Sequence, residues 1–213
     1  MAIWSPRFLN QILEFYMIFK DKKKIILAVF VIFFGVIFRI FLNEKISLPN
    51  FEAITAFSLL SGSFFGGFYS IFIPLSIIFL SDIPLGNPPT ELRLGNTPIY
   101  FFTWSAFILI GILGALLKRN SKYYFLKITA MGIISVLFFY IYTNFGWWLT
   151  SGMYPMTFQG LIQCYIAGLP FLRNQLISVL IFVPSFSLIF SLIFDKVLNF
   201  NLSKKLLFFK PKN

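Results

Sequence analysis

Residues 53–80 read AITAFSLLSGSFFGGFYSIFIPLSIIFL, an uncharged stretch whose interpretation decides how the chain folds. A membrane-spanning helix needs about 20 apolar residues, because roughly 30 Å of hydrocarbon is covered at about 1.5 Å per residue. This stretch is too long for one upright span and short for two. A helix can break or bend at Ser61-Gly62-Ser63, at Gly66-Gly67 and at Pro74. The number of crossings made here therefore sets the topology of the whole chain.

Four further stretches are long and apolar enough to span a bilayer. Residues 99–117, 128–148 and 176–194 contain no charged side chain. Residues 25–42 are interrupted only by Arg39, whose long side chain can extend toward the membrane surface from near the end of the span. Together with residues 53–80, these stretches predict five or six spans.

The overall composition is that of an integral membrane protein. Hydrophobic residues make up 58% of the chain and charged residues only 12%, with a mean hydropathy of +0.84. Such a chain cannot cover a soluble surface with polar groups, and intrinsic disorder requires the opposite composition. The single cysteine, Cys164, and the absence of histidine exclude an internal disulfide, Ser-His and Cys-His catalytic pairs, and histidine-based metal sites.

The distribution of positive charge determines the predicted topology. The segment before residue 25, the loop 118–127 and the tail after residue 194 hold 14 of the 18 lysines and arginines against three acids, which accounts for the net charge of +11. Lysine and arginine concentrate in cytoplasmic loops. The three basic segments share one side only if residues 53–80 cross twice. We therefore predict an all-α bundle of six transmembrane helices with both termini cytoplasmic. Its short second and third spans form a hairpin that turns near Gly66-Gly67.

This topology divides the chain into three regions and places it in the cell membrane. Residues 1–24 form a basic interfacial segment, residues 25–194 the six-helix membrane domain, and residues 195–213 a basic cytoplasmic tail. Residues 160–169, which lie between two prolines, are predicted as a short helix in the outer part of the bundle. Because topology and lipid head groups account for the basic segments, we expect no nucleic acid partner.

Small residues recur at helical spacing on two of the predicted spans. They are Ser58, Gly62, Gly66 and Ser70 on one stretch, and Ala106, Gly111, Gly114 and Ala115 on the fourth span. Such spacing lets helices approach closely in lipid. It is compatible with packing inside the bundle and with the docking of another membrane subunit.

Polar and aromatic residues collect at the predicted outer ends of the spans. Each has a structural interpretation: an interfacial aromatic belt, helix capping, or an ion pair between Asp82 and Arg173 that locks two helices. Their number favours an outward-open pocket with aromatic walls and a few aimed polar groups, which is the usual form of a small-molecule site. The predicted binding residues are Asn50, Phe51, Asp82, Asn144, Trp147, Tyr154, Arg173 and Asn174.

No motif points to catalysis. The patterns G-x-x-x-x-G-K-[ST], H-E-x-x-H and G-x-S-x-G are absent, and the spans hold hardly any ionisable residue at mid-depth, where a proton relay needs one. We expect neither an enzyme nor a bound metal or cofactor. Any ATP-driven step would require a partner protein.

A series of ordered landmarks resembles an uncharacterised prokaryotic membrane family over roughly residues 36–190. The first half carries Pro49-Asn50-Phe51, Ala56, Ser61-Gly62, Pro74, Ser81-Asp82 and Gly86; the second half carries Thr143-Asn144-Phe145-Gly146-Trp147, Tyr154-Pro155, Gly160-Leu161, Cys164-Tyr165, Pro170-Phe171 and Asn174. That family in turn resembles the substrate-binding S components of energy-coupling-factor (ECF) transporters. The resemblance implies six helices, cytoplasmic termini and capture of vitamins from outside.

The leading hypothesis is a membrane-embedded subunit that binds a small vitamin-like or aromatic solute for uptake. Asn50, Asp82, Asn144 and Arg173 would supply hydrogen bonds, and Phe51, Trp147 and Tyr154 would form the walls. A transmembrane coupling subunit with ATPases would energise transport. The alternative hypothesis is a membrane scaffold or assembly protein that transports nothing.

Overall fold

The structure, a computed structural model, describes residues 22–46, 48–86, 97–119 and 121–208, with side chains described up to Phe194 except at residues 97 and 98. Within these ranges all regular secondary structure is helical. The helices are α1 (Lys22–Lys45), α2 (Ile54–Phe65), α3 (Tyr69–Asp82), α4 (Thr97–Ala115), α5 (Tyr124–Thr150) and α6 (Phe158–Phe208). Most of the predicted interfacial segment 1–24 and the end of the predicted tail 195–213 lie outside the described residues.

Three of these helices are long and apolar enough to cross a membrane: Lys22–Lys45, Tyr124–Thr150 and the Phe158–Phe194 part of α6. The others supply shorter apolar helices, namely Ile54–Phe65, Tyr69–Asp82 and Ile99–Ala115. Large apolar side chains cover the outside of the bundle, with Ile26 and Phe33 on α1 among the most exposed. A soluble protein does not expose so much apolar surface. The chain is therefore a membrane protein, and the part of it that the structure describes is helical.

The uncharged stretch 53–80 breaks at the glycine pair. Helix α2 ends at Phe65, and Gly66 and Gly67 both have positive φ, of 66° and 50°. Glycine adopts this conformation without a steric penalty, so the chain reverses here and α3 packs back against α2. The break lies where the sequence predicts a hairpin. Pro74 is accommodated inside α3 without ending that helix.

Helix α2 is the centre of the bundle. It contacts α1, α3, α4, α5 and α6, and every residue in it except Ser63 is buried. At about 1.5 Å per residue, its 12 residues extend about 18 Å, well short of the hydrocarbon thickness. The other helices enclose this short element almost completely.

The small residues on α2, α3 and α4 serve packing inside the bundle. A Cβ atom added at Gly62 would overlap the backbone of Gly111, and one added at Gly114 would overlap the carbonyl of Leu59. Gly111 likewise lies directly against the carbonyl of Ser70 on α3. Backbones can approach this closely only where no side chain intervenes. Of the two interpretations of this spacing, the structure supports internal packing.

The second half of the chain differs from the prediction of a short helix over residues 160–169 followed by a separate span. Residues Phe158–Phe208 form one continuous helix, which contains Pro170 and Pro184. It packs along α5, where Gly132 faces Val179 and Val183. Proline removes only one backbone donor, and packing against a neighbouring helix holds the remainder of the helix together. The interpretation of Pro170 as a helix boundary is therefore wrong.

Candidate functional site

Two adjoining cavities lie at one end of the bundle. The first has a volume of about 400 Å³ and is lined by the end of α1, Ile46, residues 48–52, Ile54, and residues of α4, α5 and α6. The second, about 280 Å³, lies between α4, α5 and α6. Four residues line both cavities: Asn50, Thr103, Phe139 and Gln175. The combined space therefore has the size of a small-molecule site, for which roughly 300–1,000 Å³ is typical.

The walls combine aromatic rings with a small set of polar groups. Phe51, Phe107 and Phe139 supply the aromatic surface of the first cavity. Its polar residues are Arg39, Asn43, Asn50, Glu52, Thr103 and Gln175. Among the charged residues whose side chains the structure describes, only Arg39 and Glu52 line either cavity. The first cavity therefore presents one basic and one acidic side chain to its contents.

The carboxylate of Glu52 is held at the start of α2. Its Oε2 accepts a hydrogen bond from the backbone N–H of Thr55 at 3.0 Å, and its Oε1 accepts one from Gln175 Nε2 at 3.1 Å. A carboxylate in this position satisfies a free N–H and interacts favourably with the positive end of the helix dipole. Gln175 is only 1% exposed, so α6 fixes the orientation of Glu52 from the other side of the cavity.

Burial dominates the electrostatics of Glu52. Desolvation raises the pKa of its carboxyl group above the ordinary value. The hydrogen bonds from Thr55 and Gln175, and the positive charge of Arg39, act in the opposite direction. A positively charged ligand group beside Glu52 would likewise favour its ionised form.

Arg39 forms a buried ion pair with Asp82. Its Nη1 lies 2.7 Å from Asp82 Oδ1 and also donates a hydrogen bond to Ser81 Oγ. Trp104 Nε1 donates to the other carboxylate oxygen of Asp82 at 3.3 Å. The Asp82 side chain is 4% exposed and that of Arg39 17%. This pair joins α1 to α3 and orients the guanidinium at the cavity wall.

One expectation about these charges requires correction. The Arg39 side chain is bonded to Asp82 and Ser81 of helix α3. Asp82 is paired with Arg39, whereas Arg173 is exposed and forms no ion pair within the described residues. The expected ion pair between Asp82 and Arg173, which would have joined two helices, is therefore wrong. Asp82 is buried behind Arg39 and does not line the cavities.

Half of the predicted binding residues line the cavities. Asn50 borders both of them, Phe51 the first, and Asn144 and Trp147 the second. Asn50 adopts a positive φ of 58°, a conformation that asparagine tolerates better than most residues. This conformation belongs to the tight turn that brings Asn50 and Phe51 to the cavity.

The other predicted binding residues lie outside the cavity walls. Neither Tyr154 nor Arg173 borders either cavity. Asn174 does not line a cavity, but its Nδ2 donates a hydrogen bond to the carbonyl of Pro49 at 2.9 Å. This bond fixes the turn that carries Asn50. Asp82 similarly acts through Arg39. These two residues are better described as positioning residues.

Sequence reasoning missed several of the central cavity residues. Arg39 had a signal, because it is the one charge inside a predicted span, and such a charge requires a partner or a function. Thr103, Phe107 and Phe139 lie inside apolar stretches and carry no local signal. Gln175 lies next to the predicted Asn174, but only the folded α6 shows which of the two amides faces the cavities.

Comparison with known proteins yields one match. The sequence model of a family of unknown function (DUF6580) matches residues 19–203. No curated protein matches the chain, and no solved structure does. Nothing in these comparisons links the chain to the S components of ECF transporters.

Proposed function

We propose that the chain, which belongs to DUF6580, a family of unknown function, is a membrane protein that binds a small solute in its two adjoining cavities. The observation that carries the proposal is the pair of adjoining spaces, about 400 and 280 Å³, lined by aromatic rings and by a few fixed polar groups. A bundle that served only as a scaffold has no need of such a space. The buried polar network around Glu52 and Arg39 further supports a site that is formed before ligand binding.

The fuller form of this proposal is a substrate-capture subunit that resembles an ECF S component. The aromatic walls formed by Phe51, Phe107 and Phe139 suit a vitamin-like or aromatic solute. No ATP-binding motif is present in the sequence, so uptake would be energised by a coupling subunit with ATPases. The alternative, a membrane scaffold, predicts that the purified protein retains no solute.

Blocking the shared wall of the cavities tests the proposal. Thr103 borders both spaces, and within the described part of the chain its hydroxyl bonds only the carbonyl of Ile99, one turn earlier. Phenylalanine at this position should fill the space and weaken solute retention at least about 10-fold. The measurement is mass spectrometry of small molecules released from the gently purified wild-type and Thr103→Phe proteins.

A matched control comes from α5. Thr129 bonds the carbonyl of Phe125 through its hydroxyl at 2.8 Å, as Thr103 bonds Ile99, but it borders neither cavity. Thr129→Phe should therefore retain the solute at the wild-type level. Equal retention by both variants would place the solute elsewhere, and an empty wild-type protein would favour the scaffold.

We also propose that the chain crosses the cell membrane six times with both termini in the cytoplasm. The support is the concentration of lysine and arginine in three segments that share one side only in this topology. After Cys164 has been replaced by alanine, cysteine at Lys122 should react with an impermeant maleimide only from the cytoplasmic side. Cysteine at the exposed Met153 should react only from outside. Labelling of both positions from one side would contradict six crossings.

A further inference from the structure

The first cavity contains two opposite charges that are not paired with each other. Arg39 is paired with Asp82, which lies outside the cavity lining. Glu52 is bonded to Thr55 and Gln175, which are both uncharged. Arg39 and Glu52 nevertheless line the same cavity. A solute in this cavity therefore meets a cationic group and an anionic group at the same time.

Arg39, which lines this space, has free hydrogen-bonding capacity. Both described bonds from its side chain use Nη1, one to Asp82 and one to Ser81. Within the described residues, Nη2 and Nε have no hydrogen-bond partner. These two nitrogens form one edge of the guanidinium plane, the geometry that binds a carboxylate through two parallel hydrogen bonds. The ion pair with Asp82 holds that plane in place.

Glu52 offers the complementary acceptor. Oε1 already accepts bonds from Thr55 and Gln175, whereas from the residues that the structure describes Oε2 accepts only the backbone N–H of Thr55. A carboxylate oxygen can accept a second donor. An ammonium group placed there would gain a charge-assisted hydrogen bond and offset the desolvation of Glu52.

From this geometry, and resting on the proposed function, we infer that the solute is a small zwitterion of the amino-acid type, whose carboxylate is bound by Arg39 and whose ammonium is bound by Glu52. Its apolar or aromatic body would lie against Phe51, Phe107 and Phe139. A purely cationic solute would leave the free edge of Arg39 without an acceptor. A purely anionic one would lie near Glu52 with no compensating charge. The zwitterion satisfies both groups and adds no net charge to the cavity.

Four probes with the same phenyl body separate these possibilities. They are L-phenylalanine (zwitterion), phenethylamine (cation), 3-phenylpropionate (anion) and 3-phenylpropanol (neutral). Binding to the full chain in detergent is measured by thermal shift and titration calorimetry, after removal of any retained solute. We expect L-phenylalanine to bind about 10- to 100-fold more tightly than each of the other three, since each lacks at least one charged hydrogen bond.

Two variants assign each charge to its residue. Glu52→Gln should abolish the preference for L-phenylalanine over 3-phenylpropionate, because only the ammonium loses its partner. Arg39→Lys retains a positive charge opposite Asp82 but removes the guanidinium edge, and it should abolish the preference over phenethylamine. Glu44→Gln, at an exposed position outside both cavities, makes the same chemical change as Glu52→Gln and should leave all four affinities unchanged.

The outcomes separate this inference from the proposed function. If a singly charged or neutral probe binds as tightly as L-phenylalanine or more tightly, the inference of a zwitterionic solute is wrong, but the proposal of a solute-binding protein stands. If no probe binds, the solute released from the wild-type protein decides: a molecule with both charged groups supports the inference, and one lacking either group overturns it. If no probe binds and no solute is released, both proposals fail.

Discussion

Asp82→Asn is expected to lower the free energy of unfolding by about 3–5 kcal/mol, because it leaves Arg39 charged and without its counter-ion inside the bundle. Asp82 is 3% exposed and is the common acceptor for Arg39 and Trp104. Asparagine retains the size of the side chain but carries no charge. The loss can be measured as the change in unfolding free energy in mixed detergent and SDS.

A second substitution identifies the ion-pair partner of Asp82. In the double variant Asp82→Asn with Arg39→Gln, no charge remains unpaired, so most of the lost stability should return. Arg173→Gln is the matched control, since Arg173 is exposed and not paired with Asp82. Adding it to Asp82→Asn should restore nothing. Rescue by the Arg173 change, or a single variant as stable as wild type, would refute the assignment of this ion pair.

Gly111→Ala is expected to cost about 3 kcal/mol or more, or to prevent folding. The added methyl group would overlap the carbonyl of Ser70 and crowd the carbonyl of Ser58, and a backbone carbonyl cannot rotate away as a side chain can. Helix α4 would have to separate from α2 and α3. The yield of monodisperse protein and its unfolding midpoint measure the effect.

Gly35→Ala is the control for Gly111→Ala. Gly35 lies in the middle of α1, and the nearest atoms that a methyl group there would meet belong to the Ile77 side chain, with its terminal Cδ1 closest, and not to a backbone carbonyl. Alanine also has the better helix propensity, by up to about 1 kcal/mol. This variant should have nearly wild-type stability. A Gly111→Ala protein as stable as Gly35→Ala would mean that α4 packs less closely than described.

How much of the fold could be predicted from sequence depended on whether the signal was local. Gly66 and Gly67 mark the hairpin because few other residues adopt positive φ freely, and the structure has its turn there. Pro170 carries an equally local signal, but the packing of α6 along α5 overrides it. Local signals therefore predicted the existence of helices and turns, whereas the continuity of α6 required knowledge of its neighbour.

The candidate site shows the same division. Asn50, Phe51, Asn144 and Trp147 were predicted because polar and aromatic residues at the ends of apolar stretches are conspicuous. The ion-pair partner of Asp82 was not predicted. Arg39 lies 43 residues earlier in the sequence, and its position near the end of a predicted span suggested that its side chain is solvated at the membrane surface. Sequence indicates which residues are unusual. Only tertiary structure shows which of them meet.

The Arg39–Asp82 pair also imposes an order on biogenesis. Helix α1 leaves the ribosome before α3, and the counter-ion of Arg39 follows it by 43 residues. At about 5–20 residues per second, that interval is roughly 2–9 s, during which the arginine has no internal partner. Insertion of α1 alone would place this unpaired charge in hydrocarbon, which is unfavourable in free energy. The helix is therefore best retained at the insertion machinery until the α2–α3 hairpin arrives, so that the first three helices enter the lipid phase as one neutralised unit.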